Sequence, residues 1–255
     1  MKQAFVRASM AVALVAVVVG TIGRAKPSLF MSLPFPISIL LWIATGNSAP
    51  PFIHPAPWLG DEAKSWTKPG DVVVSVGGKS GTTFLLYCVH QIRMRGANDA
   101  DELFHEVNQA TIWPEHVQSR HGHWAEQKPR YNTTILPDGT LLKDRWDNER
   151  YPFRIIKSHY SPRGFGGDNG YLPVTDNPQL KFIAMARNGL DVVASLVNFW
   201  SAHTDDFRYL WGGFPPSDKD EAFDVAAEQR LQDVLPNGIL SSFYFDYVIQ
   251  WWKSR

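Results

Sequence analysis

Val72-Val73-Val74-Ser75-Val76-Gly77-Gly78-Lys79-Ser80-Gly81-Thr82-Thr83 is the stretch that decides how this chain reads. Lys68-Pro69-Gly70-Asp71 before it is a turn, and Val72 to Val76 is a compact β-branched run suited to a buried strand. Gly77-Gly78 then permits a tight turn. From Thr82 to Arg95, Phe84, Leu85, Tyr87, Cys88 and Ile92 recur at helical spacing, with Gly96 placed to stop the helix. The expected unit is strand, Gly-rich turn, helix. Such a loop aims several backbone N–H groups and the positive end of a helix dipole at one spot, which favours an anion. Gly81 lets the backbone come close to a ligand, Lys79 supplies charge, and Ser80, Thr82 and Thr83 supply hydroxyl donors.

The triphosphate-binding loop requires a Gly, four residues, then Gly-Lys-Ser or Gly-Lys-Thr. Counting back from Gly78-Lys79-Ser80 places Val73 where that first Gly belongs, inside the strand, so the spacing disfavours a nucleotide kinase. Working outward, Phe153 to Lys157 and Lys181 to Ala186 have the character of two more short strands. Asp191 to Trp200 reads as a helix with Val192, Leu196 and Phe199 on one face, and further helices are expected near Asp220 to Val234 and from about Ser241 to Lys253. Strands alternating with helices predict an α/β domain with a central parallel sheet flanked by helices in three layers. The stretch 98–150, polar and rich in His and Trp, is expected to form loops around a site.

Bulk properties narrow the function. With 255 residues and 44% hydrophobic content the chain can bury a sizeable core. Its 25 basic residues balance 25 acidic ones, so no global field recruits nucleic acid, and any anion site must be local. Cys88 is the single cysteine and sits in an apolar run, which excludes an intrachain disulfide and a Cys-rich metal motif. His121-Gly122-His123 lacks a carboxylate or Cys at metal-site spacing, so no metal site is assigned. Lys2 and Arg7 precede the uncharged stretch from Ala8 to Gly23, the layout of a signal peptide or short signal anchor and a route to membrane association through residues 8–23. Prolines 34, 36, 50, 51, 55 and 57 interrupt the next apolar region. The expected organisation is therefore a hydrophobic, Pro-rich leader over 1–57 and a domain over 58–255. If that domain enters a secretory lumen, Asn132-Thr133-Thr134 is a glycosylation sequon.

Two more segments carry chemistry. Phe153-Arg154-Ile155-Ile156-Lys157-Ser158-His159 ends a strand in a Lys and a His spaced by two, which puts both side chains on one face if the backbone stays extended. A histidine titrates in the range needed to take a proton from an alcohol or amine. Lys181 to Asn188 ends another strand in Arg187, with Ser195 eight residues further on. Taken with Lys79-Ser80-Gly81-Thr82-Thr83-Phe84, these segments resemble the 3′-phosphoadenylyl-sulfate-dependent sulfotransferases, of the cytosolic type, over approximately residues 58 to 255. Gly78 stands where that family has Pro, and Phe84 where it has the Trp that stacks on adenine.

The resemblance implies a P-loop-like fold and a single chemistry. It implies that Lys79, Ser80, Gly81, Thr82, Thr83 and Phe84 hold the 5′-phosphosulfate and adenine of the donor, and that Arg187 and Ser195 hold its 3′-phosphate. His159 would be the base, with Lys79 and Lys157 stabilising charge during in-line transfer to a hydroxyl or amine acceptor, without a metal. It also implies a cytoplasmic location, against which the N-terminal stretch stands as the alternative. The family's next core strand and its later Arg-Lys-Gly segment have no counterpart before Arg255, and Ser241 stands where an adenine-contacting Tyr is expected. The chain therefore reads as incomplete at its C-terminal end. The rival readings are a fragment that binds adenosine 3′,5′-bisphosphate without turnover, and a nucleotide-dependent kinase. Trp113, Trp124, Tyr131 and Trp146 would suit an aromatic acceptor, although aromatic side chains in such a stretch more commonly pack onto the domain.

Overall fold

The computed structural model describes residues 52–95, 109–117, 122–166, 170–205 and 244–255. The helix expected near 220–234 and Ser241 lie outside them, as does the leader. Backbone contacts divide the chain into one unit of Phe52–Leu196 with Ala226–Arg255, and another of Met1–Pro51 with Val197–Val225. In the second, the described residues are 197–205, where His203 packs edge-on against Phe199.

The first unit is built on a parallel sheet. Its strands are β2 (Val72–Val76), β4 (Ile155–Ser158) and β7 (Lys181–Met185), in the order β4-β2-β7. Both pairings are parallel, with Val72 opposite Ile155 on one side and Lys181 on the other. Short strands β1 (Phe52–Ile53) and β3 (His116–Val117) pair antiparallel, and β5 (Ser161–Pro162) pairs with β6 (Gly170–Leu172). The helices are α1 (Glu62–Trp66), α2 (Thr82–Arg93), α3 (Trp124–Thr133), α4 (Leu142–Trp146), α5 (Gly189–Ser201) and α6 (Asp246–Lys253).

The run of valines in β2 is explained by burial on both sides, since a central parallel strand has no solvent face. Val73 and Ile156 pack into an aromatic cluster with Trp58, Trp66, Trp124 and Trp146. Val72, Val74 and Val76 point the other way, with Ile155, onto Leu86 and Val89 of α2. The period of two thus places one side of the strand under α2 and the other under the aromatic layer.

At the N-terminal ends of β2 and β4, Arg154 donates from Nε to Asp71 Oδ1 at 2.8 Å and from Nη2 to Asp71 Oδ2. Both residues are buried, and the guanidinium lies 4.4 Å from the Trp146 ring centre. A bidentate, stacked arginine satisfies a buried carboxylate better than a lysine would.

One expectation is overturned. The stretch 98–150 is not all loop: 124–133 and 142–146 are helical, and Trp124, Tyr131 and Trp146 are core side chains. They belong to the packed layer on β2, where large rings bury the most apolar area. Pro129 inside α3 and its charged outer face hide the periodicity, yet Trp124, Gln127 and Tyr131 form a buried stripe at helical spacing. Between β7 and α6 lies a cavity of about 440 Å³ lined by Phe182, Ala184, Tyr247 and Trp251, among others. Among the described residues, no helix is long and apolar enough to cross a membrane.

Candidate functional site

The C-terminal ends of the three parallel strands meet at the loop after β2. Gly77 donates its N–H to the Met185 carbonyl at the end of β7, at 3.1 Å. On the other side, His159 Nδ1 lies 2.7 Å from the carbonyl of Val76. Lys79 to Thr83, Lys157 with His159, and the residues after β7 are thereby brought to one edge of the sheet, where open α/β sheets place ligands.

The loop is held in an unusual shape. Lys79 has φ 58° and Gly81 φ 100°, both left-handed. A Cβ on Gly81 would lie 3.0 Å from Met185 Cε, the movable end of a flexible side chain, so it is the backbone angle that disfavours a side chain there. Lys79 adopts its angle at a cost that a non-glycine residue bears only where the surroundings enforce it. Ser80 N–H bonds to the Gly77 carbonyl at 2.9 Å, and the first helical bond of α2 is Leu85 N–H to Gly81. The N–H groups at the start of a helix lack intrahelical partners, which leaves those of Thr82 to Phe84 for a ligand. Ser80 is 4% exposed, and its Oγ has no hydrogen-bond partner among the described residues. An orphaned buried hydroxyl at the root of a helix N-terminus fits an anionic oxygen. Burial lowers the pKa of Lys79. Phe84 projects from the first turn, 68% exposed.

The end of β4 is ordered differently, by a network sequence reading missed. Glu115 is fully buried and is met by four groups. Trp58 Nε1 donates to its Oε1 at 2.8 Å, and the Ser158 hydroxyl donates to the same oxygen. Trp113 Nε1 and the His159 backbone N–H donate to its Oε2 at 3.0 and 3.1 Å. Burial raises the Glu115 pKa above the ordinary carboxylate value, and these four donors offset only part of that rise. The indole and amide groups can only donate, so three of the four contacts require acceptor oxygens from Glu115. Trp113 then presents its ring to the two candidate residues: Lys157 Nζ stands 3.7 Å from the ring centre, and His159 packs against it at 84° and 5.1 Å. Lys157 and His159 therefore meet the same indole, as their spacing predicts.

A carbonyl only accepts, so the contact with Val76 assigns the proton of neutral His159 to Nδ1 and leaves the lone pair on Nε2. Burial, and then the charge of Lys157, push the imidazole down to about 4, so it is neutral at ordinary pH. The β7 side is open by contrast. Arg187 is exposed and reaches Asp191 with its Nε at 3.3 Å, while Ser195 lies half-buried on α5. Among the described residues, no hydrogen bond or ion pair joins Arg187 to Ser195. Tyr244 donates its hydroxyl to the Arg187 carbonyl. Tyr247 of α6 supports the loop strand from beneath: Ser75 Oγ donates to the Tyr160 carbonyl, so the Tyr247 hydroxyl donates to Ser75 at 3.0 Å.

Glu115 and Tyr247 leave weak traces in sequence, because a single Glu or Tyr acquires a role only when the fold brings distant segments together. For Trp113 the sequence leaves two readings, an acceptor-pocket aromatic or a ring packed onto the domain, and neither points to its contact with Lys157 and His159. Among the described residues no group of His, Cys, Asp and Glu could hold a metal ion.

A glycine-rich loop at a helix N-terminus, a neutral imidazole and a lysine thus meet at the C-terminal edge of a parallel sheet. Residues 69–255 match the sulfotransferase domain, and the chain belongs to that family of group-transfer proteins. No match to a curated protein was found.

Proposed function

We propose that the chain transfers a sulfuryl group from 3′-phosphoadenylyl sulfate to a hydroxyl or amine acceptor, in a P-loop-like domain spanning residues 58–255. The observation that carries this reading is the His159 contact with Val76: it ties an unprotonated Nε2 to the strand that carries the anion loop. Ser80, Gly81, Thr82 and Thr83 hold the 5′-phosphosulfate, Phe84 stacks on the adenine, and Arg187 with Ser195 takes the 3′-phosphate. The orphaned Ser80 hydroxyl supports a fit to that anion.

The acceptor oxygen or nitrogen attacks sulfur as the bond from sulfur to the phosphate oxygen breaks, and adenosine 3′,5′-bisphosphate leaves. The acceptor proton passes to His159 Nε2. Lys79 meets the charge that grows on the bridging oxygen, and Lys157 that on the transferred oxygens. None of these steps requires a metal.

The test is incubation of the full chain with sulfur-labelled donor and a panel of phenols, alcohols and amines. Label on an acceptor, with release of the bisphosphate, is the expected result. Binding of the bisphosphate without transfer would support a non-catalytic binding protein, and magnesium-dependent phosphoryl transfer from ATP a kinase.

A further inference from the structure

Glu115 is a buried carboxylate that plays no part in the transfer steps above, yet three of the four groups it touches lie at or behind the residues proposed for the chemistry. It bonds the His159 backbone N–H and the Ser158 hydroxyl, the two residues that follow Lys157. It also bonds the indole N–H of Trp113, whose ring faces Lys157 Nζ at 3.7 Å and the His159 ring at 5.1 Å. Trp113 is held from the far side as well, its carbonyl accepting the Tyr131 hydroxyl at 2.7 Å. The same segment is stitched to β4 through the Lys157 N–H to Ile112 carbonyl bond of 2.8 Å. A purely structural carboxylate would be satisfied by any four donors. Three of these four fix the residues after Lys157 and the one ring that both candidate side chains share, and the fourth, Trp58, ties the carboxylate to the core.

We propose that Glu115 and Trp113 are positioning residues: Glu115 sets the strand end and the indole, and the indole sets the Lys157 ammonium and the His159 imidazole. This rests on the sulfotransfer reading for its kinetic consequence, though not for its structural one. Only a carboxylate offers acceptors to all four donors. A glutamine turns an NH2 toward at least one of them, and two opposed donors move apart. Displacement of a base by about 1 Å is enough to cost about 100-fold in rate.

The experiment compares full-length wild type, Glu115→Gln, Glu115→Asp and Trp113→Phe by sulfur transfer and by nitrogen NMR of the histidine rings, His159 being assigned by its loss in His159→Asn. In Glu115→Gln, kcat is expected to fall about 100-fold while the donor KM stays within about threefold. Glu115→Asp, which keeps the charge, should recover part of the loss, and Trp113→Phe, which keeps a ring but loses the N–H, should fall between. The His159 signals should pass from the single Nδ1–H tautomer to a mixture in Glu115→Gln. Wild-type kcat in that variant, or a loss confined to KM, overturns the proposal, and so does an unchanged His159 spectrum. If the wild-type chain itself transfers nothing, the sulfotransfer reading falls, and the spectrum alone decides whether Glu115 positions the imidazole.

Discussion

The ends of β4 and β7 flank the same loop and are prepared to opposite degrees. At β4, a buried carboxylate, an indole and a backbone carbonyl hold Lys157 and His159 in place before any ligand arrives. At β7, Arg187 is 47% exposed in its side chain and, among the described residues, pairs only with a surface carboxylate, Asp191. Exposed pairs of that kind are worth little, so a phosphate can take the arginine at small cost. On the proposed reading, the transfer step needs fixed geometry and its residues are held rigid, whereas capture of a soluble anion needs only reach and charge.

That contrast can be broken by substitution. His159→Ala should lower kcat by about 1,000-fold and leave bisphosphate affinity within about threefold, measured by turnover and by calorimetry. A parallel loss of affinity would mean that His159 holds the donor instead. Lys157→Met should cost kcat about 100-fold, again with little effect on donor KM. It removes one of the two causes that depress the His159 pKa, so the acid limb of the pH–rate profile should move up from about pH 4. Rate loss needs protonation of Nε2, so activity should fall as pH drops through that limb and not before. An acid limb near 6.5 in the wild type would contradict a buried imidazole.

The β7 side should respond in KM. Arg187→Met is expected to raise the donor KM about 30-fold with kcat within about twofold, and to reduce the salt dependence of binding. Smallest of all, Phe84→Trp should lower the donor KM by a few fold, because a larger ring stacks better on adenine. Stability has its own pH signature. His90 and His159 are pushed down to about 3 and about 4, mainly by burial. Below pH 6.5 the unfolded chain binds protons that the folded one refuses, so stability falls as pH drops from about 6.5 toward 4, as a melting series would record.

What could be read from sequence follows from what is local. Val72 to Val76, the glycine turn and α2 declare themselves because strand period, turn residue and helix period succeed one another within about twenty residues. Boundaries shift by one to two residues: β4 runs Ile155–Ser158 and α5 Gly189–Ser201. Lys157 and His159 were legible because a spacing of two survives into the strand end. The helices at 124–133 and 142–146 were not, since Pro129 and charged neighbours mask a stripe that only tertiary burial reveals. Glu115 could not be found locally, because its partners come from residues 58, 113, 158 and 159.

The Arg154–Asp71 pair sits at the opposite end of the strands from the chemistry, and it acts there as a vernier. Four residues of strand, about 13 Å, separate Asp71 from the carbonyl of Val76's neighbour Ser75, and Arg154 from Ser158. Sliding one strand past the other by a single residue would move His159 by about 3.3 Å and turn it to the wrong face. The guanidinium fork, fixed to both carboxylate oxygens, admits only one alignment. The placement of the proposed base is thus calibrated from the far edge of the sheet.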